Sequence, residues 1–133
     1  MPTIELDIPP KTAYVRVVRL ALSSLARQAG FSEEQVEDLK IAVSEACANA
    51  VLANEEAGVV DPVSIVWNDE ADCLTVEVSD RGSSDRLAAS PFDSQDLSSR
   101  LSMSVALLQS LVDGCEFLPR DGGGMSTRLL VSR

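Results

Sequence analysis

A carboxylate and a carboxamide lie four residues apart in this chain, at Glu45 and Asn49. The surrounding residues 33–54 are rich in Glu, Ala, Leu and Val, and apolar side chains recur there every three or four positions. This pattern predicts a helix with one buried side, on which a spacing of four puts both groups on one face. A hard cation such as Mg²⁺ accepts an amide oxygen as a ligand, and the carboxylate one turn earlier could take a proton.

Such a pair also arises by chance on a solvated helix face, and its meaning therefore depends on the rest of the chain. The alternating residues 73–79 predict a half-buried strand that runs into Asp80 and Gly82, where a fixed acceptor would stand beside bare backbone. Near the C-terminus, the glycines 122–124 lead to Thr127 and a last predicted strand. A turn is the simplest interpretation of these glycines.

In this order, the three segments resemble those of the GHKL ATPase superfamily, and within it the small bacterial anti-sigma factor serine kinases of the RsbW/SpoIIAB type. The resemblance extends over nearly the whole chain, and its most specific part is the stretch around Glu45 and Asn49. It implies that Glu45 is a general base and that Asn49 binds Mg²⁺. It further implies that Asp80 receives the adenine amino group of ATP, with Gly82 lining the base and Thr127 contacting it.

Three serines stand where that family has glycines. The family's lid ends in Gly-x-Gly at the start of a helix, where bare N–H groups meet the phosphates, whereas Ser102 and Ser104 occupy these positions here. Ser84 replaces the second glycine of an Asp-x-Gly-x-Gly segment. Serine hydrogen-bonds phosphate but resists a positive φ, at a cost of roughly 1 kcal/mol per strained position, so we expect weakened nucleotide binding. Arg100 aligns with an arginine that family members place near the terminal phosphate.

The resemblance implies a cytoplasmic anti-sigma factor with serine/threonine kinase activity. Such a protein sequesters a sigma factor and uses Mg-ATP to phosphorylate an anti-anti-sigma protein with a STAS domain, in partner switching that regulates transcription under stress. A first alternative is a binding module with impaired nucleotide use that works by partner switching alone, which the lid serines favour. A second is a detached ATPase domain of a sensor kinase, which the absence of any His disfavours.

The composition is typical of a single domain spanning residues 1–133, because 45% hydrophobic residues suffice to fill one core. No apolar run approaches the roughly 20 residues that span a bilayer, which predicts no membrane association. The thiols of Cys47, Cys73 and Cys115 are odd in number and scattered, which indicates free cysteines in a reducing compartment. Without His, a zinc site or a His-based nucleophile is excluded.

A net charge of −10 argues against direct nucleic-acid binding, because that binding draws its affinity from Lys and Arg. The charge has two equally good interpretations: it keeps the protein soluble, or it attracts a partner protein of opposite charge. Three arginines, Arg16, Arg19 and Arg27, share a predicted helix. Arg16 and Arg19 are candidates for binding a protein partner, and a plain solvated helix face is the alternative. The resemblance also implies a homodimer, for which the N-terminal strand offers a pairing edge.

These residues must be positioned by one α/β two-layer sandwich with a mixed, mostly antiparallel sheet and three helices on one face. Ser32 with Gln35 forms a predicted capping box before the second helix. Trp67 is expected to be a packing residue. Residues 81–99 are long enough for a lid or a disordered loop, and their position favours a lid. The expected strands are 3–8, 59–67, 71–79, 115–118 and 125–131, and the expected helices are 11–29, 33–54 and 101–112.

Overall fold

Alternating apolar and polar side chains along the strands leave one face of the sheet to be covered, and three helices cover it. The computed structural model describes residues 3–82 and 95–133, and the side chains of these except for 95–102. In chain order the elements are β1 (Thr3–Ile8), a 3-10 turn (Thr12–Tyr14), α1 (Val15–Gln28), α2 (Glu33–Glu56), β2 (Val63–Asp69), β3 (Cys73–Ser79), α3 (Gln95–Leu111), β4 (Gly114–Pro119) and β5 (Met125–Ser132).

The five strands form one sheet in the order β1-β2-β3-β5-β4, and each of the four pairings is antiparallel. Trp67, Val76 and Leu129 are direct cross-strand neighbours on the covered face, and all three are buried. The expected two-layer sandwich is therefore confirmed, as is the packing role of Trp67. We expected a mixed sheet, whereas the described strands pair without a parallel neighbour.

The opposite face of the sheet carries a row of charges. Arg128 on β5 lies between Glu77 on β3 and Glu116 on β4 in the strand register. Its guanidinium nitrogens lie 3.4 Å from a Glu77 carboxylate oxygen and 3.7 Å from one of Glu116. Exposed pairs of this kind contribute little to stability. They do keep this face polar, which explains why the helices pack on the other one.

The helix α2 lies between α1 and α3 and packs against both. Its start is fixed by the expected capping box: the Ser32 hydroxyl accepts a hydrogen bond from the Gln35 N–H at 3.1 Å, and the Gln35 side chain accepts one from the Ser32 N–H at 3.1 Å. These bonds satisfy N–H groups that have no partner inside the helix. Apolar side chains from every turn of α2, such as Val43 and Val51, enter the core.

Three element boundaries differ from the expected ones by more than two residues. The strand β2 begins at Val63 and not at residue 59, since Pro62 has no N–H to donate and Val60 is exposed. A 3-10 turn precedes α1, which begins at Val15. The helix α3 begins at Gln95, so the end of the expected lid is helical, and residues 83–94 of that lid, with Ser84, lie outside the described residues.

The last residue of the chain connects elements that are far apart in sequence. The Arg133 guanidinium donates to the Ala29 carbonyl at 2.6 Å, forms an ion pair with Asp69 and lies 4.8 Å from the centre of the Phe31 ring. The end of α1 is thereby attached to the end of β2. Within the described ranges, no helix combines the length and apolarity needed to cross a bilayer.

Candidate functional site

Glu45 lies on the side of α2 that faces α1. It is half-buried and lines an open groove of about 860 Å³ between the two helices. Arg16 and Arg19 of α1 line the same groove. The carboxylate and the arginines were expected at separate sites, and the structure places them around one groove.

The groove also presents apolar surface. Leu20 and Ile41 line it with exposed fractions of 59% and 49%. Lys40 is paired with Glu37 in its wall at 3.3 Å, whereas Arg27 lies outside the groove and pairs with Glu33 at the turn between α1 and α2. Of the three arginines on α1, only two therefore contribute to this surface.

Asn49, one turn after Glu45, contacts α3 and does not line that groove, so the two groups that were expected on one face of α2 adjoin different neighbouring helices. Its side-chain nitrogen Nδ2 donates a hydrogen bond to the Ser104 hydroxyl at 2.6 Å, and Ser104 is buried. Because the two ends of a carboxamide diverge, this bond turns the carbonyl oxygen Oδ1 away from the Ser104 hydroxyl. An amide oxygen held in this way fits the role of a ligand for a hard cation.

The backbone strain expected at the lid serines is absent. Ser102 and Ser104 are both helical residues of α3, and the described part of the chain holds no residue other than glycine with a positive φ. The expected strain assumed that the helix starts at these serines, whereas α3 already begins at Gln95. The Ser104 hydroxyl contacts Asn49 instead. The side chains of Arg100 and Ser102, both expected near phosphate, lie outside the described residues.

Asp80 follows β3 and lies on the face of the sheet that the helices cover, with an exposed fraction of 2%. Its carboxylate oxygen Oδ1 accepts hydrogen bonds from the Gly82 N–H at 3.0 Å and the Met125 N–H at 3.3 Å. Thr127 is buried on the same face of the neighbouring strand β5. Asp80, Gly82 and Thr127 thus lie at one end of the sheet.

The absence of a side chain at Gly82 brings this loop against α2. A Cβ built on Gly82 would lie 2.6 Å from the backbone carbon and oxygen of Ala53 in the last turns of the helix. Ala53 follows Asn49 by four residues, which is about 6 Å along the helix axis. The loop that carries Asp80 is therefore one helical turn from Asn49.

The glycines of the turn between β4 and β5 have a second function. All three adopt a positive φ, from 82° at Gly122 to 103° at Gly124, which confirms the turn. A Cβ on Gly124 would also lie 2.0 Å from the Asp80 carbonyl oxygen. The interpretation of these glycines as a turn alone was therefore incomplete, because Gly124 also allows the turn to contact the Asp80 loop.

Three residues of the site were missed by sequence reasoning: Asn54, Arg81 and Arg120. Asn54 is fully buried near the end of α2 and accepts a hydrogen bond from the Arg81 N–H at 2.8 Å. The Arg120 guanidinium donates to the Asp80 carbonyl at 2.9 Å. The one available signal was a polar residue at an apolar position of the helix, since Arg81 follows Asn54 by 27 residues.

The cysteines take no part in this chemistry. Cys47 lies between Glu45 and Asn49 in sequence but faces the core, and burial raises the pKa of its thiol to about 12. Burial, and after it the neighbouring Glu116 carboxylate, also raises the pKa of Cys115. All three cysteines are free, as expected. Near neutral pH the Cys47 and Cys115 thiols are protonated, and a neutral thiol is a poor nucleophile.

The sequence profile of the histidine kinase-like ATPase domain family matches residues 8–131 of this chain. The serine-protein kinase RsbW of Bacillus licheniformis is 44% identical over 81 residues, which cover 61% of this chain and 51% of that protein. The RsbW of Listeria monocytogenes serovar 1/2a is 46% identical over 84 residues, which cover 61% of this chain and 52% of that protein. The chain thus spans about half the length of the curated relatives it matches.

Two solved structures have a similar fold. The RsbU and RsbW domains of a Mycobacterium tuberculosis protein superpose with a TM-score of 0.75 at 19% identity, over 99% of this chain and 32% of that one. The SiaB–SiaC complex of Pseudomonas aeruginosa gives a TM-score of 0.68 at 11% identity, over 96% and 88%. At these identities the similarity shows a shared fold alone.

Substituting Gly82→Ala is expected to destabilise the protein by about 1–3 kcal/mol, because the added Cβ overlaps the Ala53 backbone, which can yield only by moving α2. Chemical denaturation monitored by circular dichroism measures this change. Gly114→Ala is the matched control, since a Cβ there would make an ordinary contact, 3.4 Å from Leu130. Equal stability of both variants would contradict the close packing of loop and helix.

Substituting Ser104→Ala is expected to lower the free energy of unfolding by about 1 kcal/mol, because Asn49 loses its hydrogen-bond partner on α3. The same denaturation experiment measures the loss. The control is Ser110→Ala on the same helix, where the hydroxyl bonds to the Leu107 carbonyl and is exposed. That variant should stay within about 0.5 kcal/mol of the wild type. A loss of the same size in both variants would argue against the Asn49 contact.

Proposed function

Because this chain belongs to the family of histidine kinase-like ATPase domains, we propose that it is an anti-sigma factor with Mg-ATP-dependent serine/threonine kinase activity. The observation that carries the proposal is the junction of α2 with the loop 80–82: the loop that carries the buried Asp80 carboxylate contacts α2 at Ala53, one helical turn after Asn49. The relatives named serine-protein kinase support the activity.

In the proposed complex, the buried Asp80 carboxylate accepts a hydrogen bond from the adenine amino group. Thr127 contacts the same base, and the bare backbone of Gly82 leaves room for it. A carboxylate already held by two N–H groups needs no reorganisation to take up the ligand. We propose that Arg100 and Ser102 contact the phosphates from α3.

Asn49 is the proposed Mg²⁺ ligand, through its carbonyl oxygen. When bound, the ion neutralises charge on the phosphates of ATP. The Ser104 hydroxyl, which we expected to contact phosphate, takes the Nδ2 end of Asn49 and so fixes which end of the carboxamide is presented. The proposed role of Ser104 is therefore to orient Asn49.

Glu45 is the proposed general base. It takes the proton from the serine hydroxyl of the protein substrate while that oxygen forms a bond to the terminal phosphorus of ATP and the bond to the bridging oxygen breaks, which releases ADP. Phosphoryl transfer depends mainly on positioning and on electrostatic stabilisation. The groove between α1 and α2 gives a phosphoacceptor segment a path to Glu45 from solvent.

The proposed partners are a sigma factor and an anti-anti-sigma protein with a STAS domain. Arg16 and Arg19, with the exposed Leu20 and Ile41, offer a mixed basic and apolar surface on a chain with a net charge of −10. Apolar centres with arginines are common in protein interfaces. We further propose a homodimer that pairs through β1, an edge strand of the sheet, in the cytoplasm.

A second candidate function is a binding module that exchanges partners without using nucleotide. The contact that favours it is the one between Asn49 and Ser104, since the carboxamide already has a partner inside the protein. Nucleotide binding discriminates between the two functions, because the module has no need of Mg-ATP.

The wild-type chain should bind Mg-ATP in calorimetry and transfer its terminal phosphate to the anti-anti-sigma protein. Glu45→Gln should bind Mg-ATP equally well but phosphorylate about 10²–10⁴-fold more slowly, because the amide keeps the shape of the base and cannot take the proton. Transfer of labelled phosphate measures the rate.

Asn49→Ala is the contrasting variant, since it should weaken the binding of Mg-ATP itself. A wild-type rate in Glu45→Gln would remove Glu45 from the mechanism. If the wild-type chain binds no Mg-ATP at millimolar concentration, the binding module replaces the kinase as the proposed function.

Charge reversal at the groove should separate partner binding from folding. Arg16→Glu is expected to weaken capture of the sigma factor or of the anti-anti-sigma protein at least tenfold, whereas its melting temperature should stay close to that of the wild type, because Arg16 is exposed. Arg27→Glu, on the same helix but outside the groove, is the matched control.

Unchanged capture of both partners by Arg16→Glu would place the interface elsewhere on the molecule. Light scattering of the same samples reports the oligomeric state, and a monomer at all concentrations would contradict the proposed homodimer.

A further inference from the structure

The loop that carries Asp80 is held from two sides by residues whose function is not explained by the proposed site. We call these residues, Asn54, Arg81 and Arg120, the Asp80 latch. Asn54 belongs to α2, Arg81 to the loop itself, and Arg120 to the turn between β4 and β5. All three make hydrogen bonds to backbone atoms, so they act on the position of the chain.

Asn54 attaches the loop to the helix. Its Oδ1 accepts from the Arg81 N–H at 2.8 Å, and its Nδ2 donates to the Asp61 carbonyl at 3.0 Å. Both ends of a fully buried amide are thus used, which is the condition under which burying it is tolerated. Since α2 is a long helix anchored in the core, Arg81 is fixed to a rigid element.

The two arginines connect the loop and the turn reciprocally. The Arg81 guanidinium donates to the carbonyls of Asp121 and Gly123, at 2.8 and 3.0 Å. The Arg120 guanidinium donates to the carbonyl of Asp80 at 2.9 Å. Hydrogen bonds from a charged donor are stronger than neutral ones, and the two sets oppose separation of loop and turn.

The geometry of the carboxylate follows from these contacts. The Asp80 N–H donates to the Met125 carbonyl at 2.9 Å, while its carboxylate oxygen Oδ1 accepts from Gly82 and Met125. The peptide units on both sides of Asp80 are therefore fixed: the preceding one through its N–H, and the following one through Arg120 and Asn54. With the backbone fixed in this way and Oδ1 held by two N–H groups, the direction of the side chain is fixed too.

We propose that Asn54 and Arg120 are positioning residues, which aim the Asp80 carboxylate at the amino group of adenine and so set the preference of the site for adenine over other purines. This inference rests on the proposed function of Asp80 in binding ATP. A hydrogen bond to a charged group discriminates by roughly 10- to 100-fold against a ligand that lacks the partner, provided that the group is well aimed. Loss of the latch should reduce that discrimination.

The experiment compares two nucleotides by titration calorimetry: Mg-ATP, and the magnesium complex of purine riboside triphosphate, which lacks the amino group. The wild-type chain should prefer ATP by roughly 10- to 100-fold. Asn54→Ala and Arg120→Ala should each weaken ATP binding about tenfold and leave binding of the analogue within about twofold, so that the preference falls towards one. Arg120→Lys, which keeps a charged donor, should restore part of the preference.

Arg128→Ala is the matched control. Arg128 belongs to β5, and its side chain bonds to Glu77 on the face of the sheet opposite to Asp80. This variant should keep the full preference. Should Asn54→Ala fail to fold, the Arg120 variants decide, since Arg120 is only partly buried.

An unchanged preference for ATP in the Arg120 variants would overturn the inference. So would an equal loss of affinity for both nucleotides, because a merely structural role weakens them alike. A different result identifies failure of the proposed function: a wild-type chain that binds neither nucleotide, or an Asp80→Asn variant that keeps the preference for ATP, removes Asp80 from base recognition and the latch with it.

Discussion

The contact between Gly82 and Ala53 is the constraint on which the arrangement of the site depends. Two backbones meet there with no room for a Cβ, so the end of β3 and the last turns of α2 are held at one distance. Any residue larger than glycine at position 82 would separate the sheet from the helix at the point where the loop of Asp80 meets the helix of Asn49. The hydrogen bond from the Arg81 N–H to Asn54 joins the same loop and helix and depends on this separation.

Much of the frame was predictable, because local rules determine it. The capping box at Ser32 and the apolar period of α2 depend on residues that are close in sequence. The alternation of buried and exposed side chains along β3 and β5 follows from the pleat of a strand. The start of β2 was predicted wrongly because Val59 and Val60 look like strand residues until Pro62 is weighed against them. The missing N–H of Pro62 had a greater effect on where β2 begins than the apolar side chains of Val59 and Val60.

The site was predictable in its residue types and less so in its contacts. Glu45, Asn49 and Asp80 were proposed from a motif, whereas Arg81, which bonds to Asn54, and Asp80, which bonds to Arg120, lie 27 and 40 residues from their partners, and no local pattern specifies such contacts. The error at Ser104 has the opposite origin. A correspondence with glycines at the start of a helix suggested strained backbone, whereas α3 begins earlier and Ser104 lies inside it, where its hydroxyl reaches Asn49.

The groove between α1 and α2 is lined by the candidate base and by the two arginines of the proposed partner surface. Any protein seated there covers Glu45, so association and access to the carboxylate are one steric event. Selection on this surface then acts on two properties at once. A substitution that changes which protein docks also changes the surroundings of the base. Among proteins that share this groove, partner specificity and catalytic rate should therefore diverge together.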